Sequence, residues 1–320
     1  MNFTSDVKKE IIARGIGEGE DAVAEKKAGI SAFVRTSGML GVQNGEPTFF
    51  LISETENVAE FFTALFYDSL MTNLRITHAT RDKRSGRDKL LLECPAANIP
   101  TVLSEIGLLK RTGGFRDGIS SSLTSTKGRK IAYIQGAFLG GGSCTIPNAD
   151  AKTGYHLEIV FFNRKTANDF CKILAEFEIL PKLLARSKEK FVVYVQSKEQ
   201  ISDFFAVIGV KNALRKFSNF VELRDEANRV NRAQNCMMGN AYKAATASVE
   251  QVMAIRTLIK NGTLNDLGDE YKELAKARLE NGGMSMQELA KLLGISKSCL
   301  NHRIRRLMAL AKTEEKEDER

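Results

Sequence analysis

The stretch Tyr133-Ile134-Gln135-Gly136-Ala137-Phe138-Leu139-Gly140-Gly141-Gly142-Ser143 is apolar, carries Gly136 and Gly140 one helical turn apart, and runs into three consecutive glycines. Glycine loses more backbone freedom on ordering than any other residue, so such a run stops a helix. The stretch therefore reads as a helix with one bare face, against which a second backbone can come to the short end of the usual interhelical separation of about 8 to 10 Å. An upstream segment, Ile30-Ser31-Ala32-Phe33-Val34-Arg35-Thr36-Ser37-Gly38, repeats the plan. There Ala28 and Ala32 supply the small pair and Gly38 closes the element. The two helices are expected to pack on each other.

Outward from these helices the same order of elements occurs twice, about a hundred residues apart. After the first come a strand over 47–52 and a helix over 57–70, in which Val58, Phe61, Phe62, Leu65 and Phe66 recur at helical spacing. Strands over 74–77 and 89–94, joined by a Ser-Gly turn, and a helix over 99–109 complete that half. After the second come a strand over 155–161, a helix over 166–177 with Ala167, Phe170, Cys171 and Leu174 inward, a strand over 191–195 and a helix over 200–208. The economical fold class is α/β (α+β): a duplicated α-β-β-α-β-β-α unit over 21–216, with repeats at about 21–110 and 130–216. A helix over 5–14 within 1–20 precedes it. The connector over 110–130, rich in Gly, Ser, Thr and basic residues, reads as exposed.

From Lys211 onward the strand signal ends. Residues 217–246 read as a polar helical tether, and 247–312 as a separate helical domain with an apolar stripe over 249–259 and a helix over 269–281 stopped by Gly282-Gly283. The charged tail, 313–320, reads as a frayed end.

With 320 residues, 43% of them hydrophobic and 27% charged, the chain can bury two or three cores. Cys94, Cys144, Cys171, Cys236 and Cys299 are scattered and never form a C-x-x-C pair, which argues for reduced thiols in a cytosolic protein and against a zinc ribbon. No segment approaches the roughly 18 apolar residues of a membrane span. The net charge of +8 favours a polyanionic partner.

The helices carrying Ile30 to Gly38 and Ile134 to Gly142 resemble the motif helices of LAGLIDADG homing endonucleases. In that family the two helices form the interface between repeats, and the penultimate motif position of each is an acid that binds a divalent metal. The resemblance puts Ser37 and Gly141 at those positions, and neither is a carboxylate. Hard cations need carboxylate oxygens beside the scissile phosphate, so the expectation is a retained scaffold with no catalytic residue, no metal and no cofactor. The nearest downstream acids, Glu46 and Asp150, read as loop residues. A metal-dependent endonuclease using other acids stays open as the alternative. Gly140 to Ser143 lacks the preceding strand and the Gly-Lys-Ser/Thr of a phosphate loop. The hairpin bearing Arg81, Lys83, Arg84, Arg87 and Lys89 is the better candidate for phosphate contacts, with a solvated loop as its other reading.

The most specific local signal lies in residues 285–311, opened by Ser285 and ended by Ala311. Ser285 and Glu288 make a capping box, Met286, Leu289, Ala290 and Leu293 form one apolar face, Gly294 takes a tight turn, and Ser296 caps a second helix. On that helix Leu300, Ile304 and Leu307 point inward, which leaves Ser298, His302, Arg305 and Arg306 outward with Lys297, Asn301 and Arg303 flanking. This is the helix-turn-helix plan, whose second helix enters the major groove. Arginine pairs with guanine, asparagine with adenine, and lysine or serine near a helix start holds phosphate.

Degenerate LAGLIDADG-like repeats followed by a helix-turn-helix resemble the WhiA family of bacterial transcription regulators. The resemblance rests on Arg35-Thr36-Ser37-Gly38, on Gly136-Ala137-Phe138-Leu139 with the glycines and Ser143, and on Gly294-Ile295-Ser296-Lys297-Ser298 with Asn301-His302-Arg303; it departs most over 229–242. It implies sequence-specific binding of double-stranded DNA at promoter regions by a cytoplasmic, nucleoid-associated protein, with another transcription regulator as a further partner and no membrane contact. It also implies a link to cell division and, in sporulating lineages, to sporulation. A division-associated scaffold that binds protein instead of DNA is the third reading.

Overall fold

In the computed structural model, which describes residues 3–17, 21–43, 46–78, 89–110, 112, 114–147 and 154–318, the chain opens with α1 (Phe3–Arg14). The first repeat follows as α2 (Ala22–Ser37), β1 (Gly38–Gln43), β2 (Glu46–Ser53), α3 (Glu56–Leu70), β3 (Arg75–His78), β4 (Leu90–Cys94) and α4 (Ile99–Glu105). The second repeats it as α5 (Lys127–Gly141), β5 (Gly142–Thr145), β6 (His156–Phe161), α6 (Arg164–Ala175), β7 (Lys182–Ser187), β8 (Lys190–Val195) and α7 (Lys198–Val207). Each repeat forms a four-stranded antiparallel sheet, with orders β1-β2-β4-β3 and β5-β6-β8-β7. The duplication read from the periodicity is thus realised strand for strand.

Three strands were not legible as elements. β1 and β5 begin at the glycines that close the two motif helices, so those glycines turn each helix directly into a strand instead of leading to a loop, and α5 runs through Gly140 and Gly141. The turn is steric: a Cβ on Gly38 would lie 2.5 Å from the Val34 carbonyl, and one on Gly142 2.4 Å from the Phe138 ring. Glu46 consequently starts β2 and is not a loop residue, while Asp150 lies outside the described residues. β7, with sequence Lys-Leu-Leu-Ala-Arg-Ser, is an edge strand with exposed residues on both faces, so no alternation marks it. α4 ends four residues before the expected boundary because Gly107 takes a left-handed conformation, φ +67°.

α2 and α5 pack on each other more extensively than any other two elements among the described residues. The closest approach is glycine on glycine: a Cβ on Gly136 would lie 2.0 Å from the carbonyl oxygen of Gly29. Gly29, one residue after Ala28, is therefore the upstream partner of Gly136, although Ala28 and Ala32 are fully buried. One turn on, Gly140 lies against Thr36 and Phe33. Around the crossing Ile30, Phe33, Ile134 and Phe138 are buried, and Phe33 stacks on Phe62 of α3 with ring centroids 3.6 Å apart. Arg129 of α5 pairs with Asp21 at 2.5 Å. Near the other end of α2, Arg35 donates to Thr166 Oγ1 at 3.0 Å and to the carbonyls of Arg116 and Gly118 at 3.0 and 2.6 Å. Those bonds pin the connector between the repeats and Ser120 and Leu123 within it are buried, while most of its other described residues are exposed, as its composition indicates.

α8 (Lys211–Lys260) is one helix of 50 residues. Both oxygens of the Glu10 carboxylate accept from backbone N–H groups of its first turn, Asn212 and Ala213, at 2.8 Å each. An acid reaching in from α1 thereby satisfies donors that the helix leaves unpaired and lies where the helix dipole favours negative charge. The chain divides within α8 into two compact units, Met1–Asp225 and Glu226–Arg320.

The second unit adds α9 (Asp269–Glu280), α10 (Met286–Leu292) and α11 (Lys297–Asp318) to the end of α8. Ile255, Leu258, Leu274, Leu289, Leu300, Ile304 and Leu307 form its core. Arg278 is buried beside them at 2% exposure; it donates from Nε to Gln251 Oε1 at 2.9 Å and from Nη1 to the Met284 carbonyl at 2.6 Å. It thus ties α8, α9 and the turn before α10 together. α11 continues to Asp318, and the tail expected to fray is helical almost to its end. Its glutamates and lysines are good helix formers, and no glycine or proline interrupts them.

Gly136→Ala should destabilise the N-terminal unit by about 3 kcal/mol, because the new methyl group has only backbone to displace. Gly239→Ala, at a position of α8 with open space around it, should stabilise by about 0.5 to 1 kcal/mol in urea unfolding. Arg278→Ala should cost the C-terminal unit about 3 kcal/mol, since the Gln251 amide oxygen and the Met284 carbonyl would lose their donor inside the core; loss of helical circular dichroism at lower urea concentration measures it.

Candidate nucleic-acid interface

α10 and α11 are held by short-range chemistry. Ser285 Oγ accepts from Glu288 N at 3.3 Å, and the Glu288 carboxylate accepts from Ser285 N at 2.8 Å, a closed capping box. The bonds from Ser285 hold the Glu288 carboxyl below the usual carboxylate range. Gly294 then takes φ +63°, a conformation that costs a side-chain-bearing residue steric strain, and the Ile295 N–H returns to the Ala290 carbonyl at 3.0 Å. Ser296 Oγ accepts from Cys299 N at 3.1 Å and starts α11.

On α11 the buried residues are Leu300, Ile304, Leu307 and Ala311. At 100° per residue the direction opposite them carries Ser298, His302 and Arg305, all exposed. Asn301 lies on one flank of that face and Arg306 on the other, both exposed; Lys297 is exposed at the helix start and Arg303 is half-buried. No acid occurs between Lys297 and Thr313. Arg306 differs from its neighbours: its guanidinium lies over the Tyr271 ring of α9, 5.4 Å from the centroid, and Nη1 donates to the Tyr271 hydroxyl at 3.3 Å.

The motif positions hold no acid pair. Ser37 is buried and its hydroxyl donates to the Phe33 carbonyl of its own helix at 2.7 Å. A Cβ on Gly141 would lie 2.8 Å from the Val160 carbonyl and 3.0 Å from Thr36 Cβ, so a side chain there must move strand or helix backbone. Among the described residues no group of three or more His, Cys, Asp or Glu side chains is placed to hold a metal ion.

The outer faces of the two sheets differ. In the first, the cross-strand row Met39, Phe50, Glu93, Arg75 and the adjacent row Ile52, Leu91, Thr77 carry four apolar side chains, one acid and one cation among the described residues. In the second, the row Ser143, Glu158, Tyr194, Lys182 is polar, and Glu158 pairs with Arg186 at 2.8 Å and with His156 at 3.1 Å. Of the basic hairpin, Arg81, Lys83, Arg84 and Arg87 lie outside the described residues; Lys89 is half-buried just before β4.

Two residues of this domain escaped the sequence reading. Tyr271 and Arg278 fall with Leu274 and Ala275 on the inward stripe of α9, where an aromatic reads as core and an arginine as an interruption. Only the turn of α9 towards α11 brings the Tyr271 hydroxyl to Arg306.

Comparison with known proteins agrees with both halves of this architecture. The model of the WhiA C-terminal HTH domain matches residues 230–311, and that of the WhiA LAGLIDADG-like domain matches residues 130–227. Proteins named probable cell division protein WhiA from Staphylococcus carnosus (strain TM300) and Staphylococcus aureus (strain JH9) are each 32% identical to it over 315 residues, covering 97% of this chain and 96% of theirs. The crystal structure of full-length DUF199/WhiA from T. maritima superposes with a TM-score of 0.54 at 22% identity, covering 98% of this chain and 99% of that one, and shares its fold. With relatives aligned over almost its whole length and both domain models matched, the chain belongs to the WhiA family.

Proposed function

We propose that this protein is a sequence-specific DNA-binding regulator acting at promoter regions, in which α11 reads duplex DNA and the duplicated domain is a scaffold without nuclease activity. In this reading residues 21–216 are the body, preceded by a helix and loop over 1–20. Residues 217–246 are the tether, 247–312 the reading domain and 313–320 a charged end. The observation that carries it is the outward face of α11: Ser298, His302 and Arg305 exposed in a line, Lys297 at the helix start, and no acid to repel phosphate. The lengthwise relation to proteins named for cell division supports a role there, and the link to sporulation extends the same reading.

The motif itself supports a scaffold without nuclease activity. Ser37 spends its hydroxyl on its own helix, and Gly141 has no room for a carboxylate, so the two motif positions offer paired metals no ligand. For the duplicated domain, the apolar side chains among the described residues of the first sheet's outer face support a protein partner, such as another transcription regulator, beside the phosphate contacts that the cations of residues 81–89 would supply.

A duplex enriched by the protein from a randomised pool tests the reading. Arg305→Ala should weaken binding to it by about 1 to 3 kcal/mol and relax the preference at one base pair. Unchanged affinity would remove α11 from the interface. Supercoiled plasmid incubated with the protein and magnesium should stay intact at every concentration that shifts duplex in a gel; nicking that survives Arg305→Ala would revive the endonuclease.

A further inference from the structure

Arg306 does not share the situation of the other exposed side chains of α11. It lies at the edge of the outward face, on the side turned to α9, whereas Ser298, His302 and Arg305 occupy the centre. Tyr271, 8% exposed, holds its guanidinium in two ways at once: the ring underlies the cation and the hydroxyl accepts from Nη1. An arginine side chain carries large rotamer entropy, and a guanidinium stacked on a ring loses less of it when it meets a further partner. Five N–H donors sit on a guanidinium, and Tyr271 takes one of them. Arg306 stays exposed at the flank of a helix whose middle would fill a groove, which is where the phosphates bordering the groove run.

We infer that Arg306 is a phosphate clamp pre-set by Tyr271 and not a base-reading residue, and that Tyr271 is its positioning residue. The inference rests on the DNA-reading role of α11. Base reading then falls to the central face, with Arg305 as its cation, and Arg306 fixes the depth and register of the helix against the backbone of the duplex.

The test uses the full chain, the duplex it enriches from a randomised pool, and a scrambled duplex of equal length and composition. Arg306→Ala should weaken both complexes by about tenfold, leave the ratio of the two affinities within about twofold, and lower the slope of log affinity against log salt by about one. Arg305→Ala should instead collapse the ratio. Arg306→Lys should keep the slope while losing part of the affinity, because charge survives and the stacked fork does not. Tyr271→Phe, which keeps the ring and the packing, should weaken both complexes by about two- to fourfold in the wild-type background and have no effect in Arg306→Ala. A purely structural tyrosine would produce the same loss in both backgrounds, and that result overturns the positioning role. An altered affinity ratio or an unchanged salt slope in Arg306→Ala overturns the clamp while leaving the DNA-reading role standing. Failure of the wild-type protein to enrich any duplex removes that role and the clamp with it.

Discussion

The carbonyl of Gly29 and the α-carbon of Gly136 share a space that no side chain could enter. That crossing lets α2 and α5 lie with backbone against backbone, so the apolar residues on either side interlock across both repeats in one continuous core. Dispersion contacts are individually tiny and fall off steeply with distance, so a separation larger by even one methyl group would weaken many of them together. Both sheets start from the far ends of these helices, at Gly38 and Gly142, and inherit their placement from the pair. The Arg35 bonds to the connector carry the same constraint into the segment that joins the repeats.

Close packing at this junction bears on chemistry as well as stability. A nuclease of the resembling kind needs two carboxylates where its motif helices end, and such groups need room, solvent and a cation. Here one position has turned its hydroxyl back on its own helix and the other has become part of the helix-to-strand turn. Space that a carboxylate would need is occupied by Val160 and Thr36.

The C-terminal unit solves a different problem with little material. Its core is small, and a single buried arginine, Arg278, joins three of its segments through a side-chain amide and a backbone carbonyl. Burial pulls the pKa of that guanidinium down, yet hydrogen bonds supply what solvent would have given. The framework holds α11 so that a polar, cationic face stands clear of the core, with Tyr271 steadying one edge of it.

Much of this was legible from residue order alone, because it depends on local rules. Helical spacing of apolar residues, the Ser285 and Glu288 capping box, the Gly294 turn and the inward set Leu300, Ile304 and Leu307 each follow from interactions within a few residues of chain. The hundred-residue recurrence likewise announced the duplicated unit, and the absence of acids at 37 and 141 is a fact of sequence. What residue order could not reveal depends on atoms far apart in the chain. Gly29 as the partner of Gly136, Glu10 capping α8 from two hundred residues away, the Arg35 clasp on the connector and the hold of Tyr271 on Arg306 exist only once helices have crossed. Their energies are set by approach distances that no periodicity encodes. The edge strand β7 escaped for a related reason: with both faces wet, only its neighbour β8 makes it a strand.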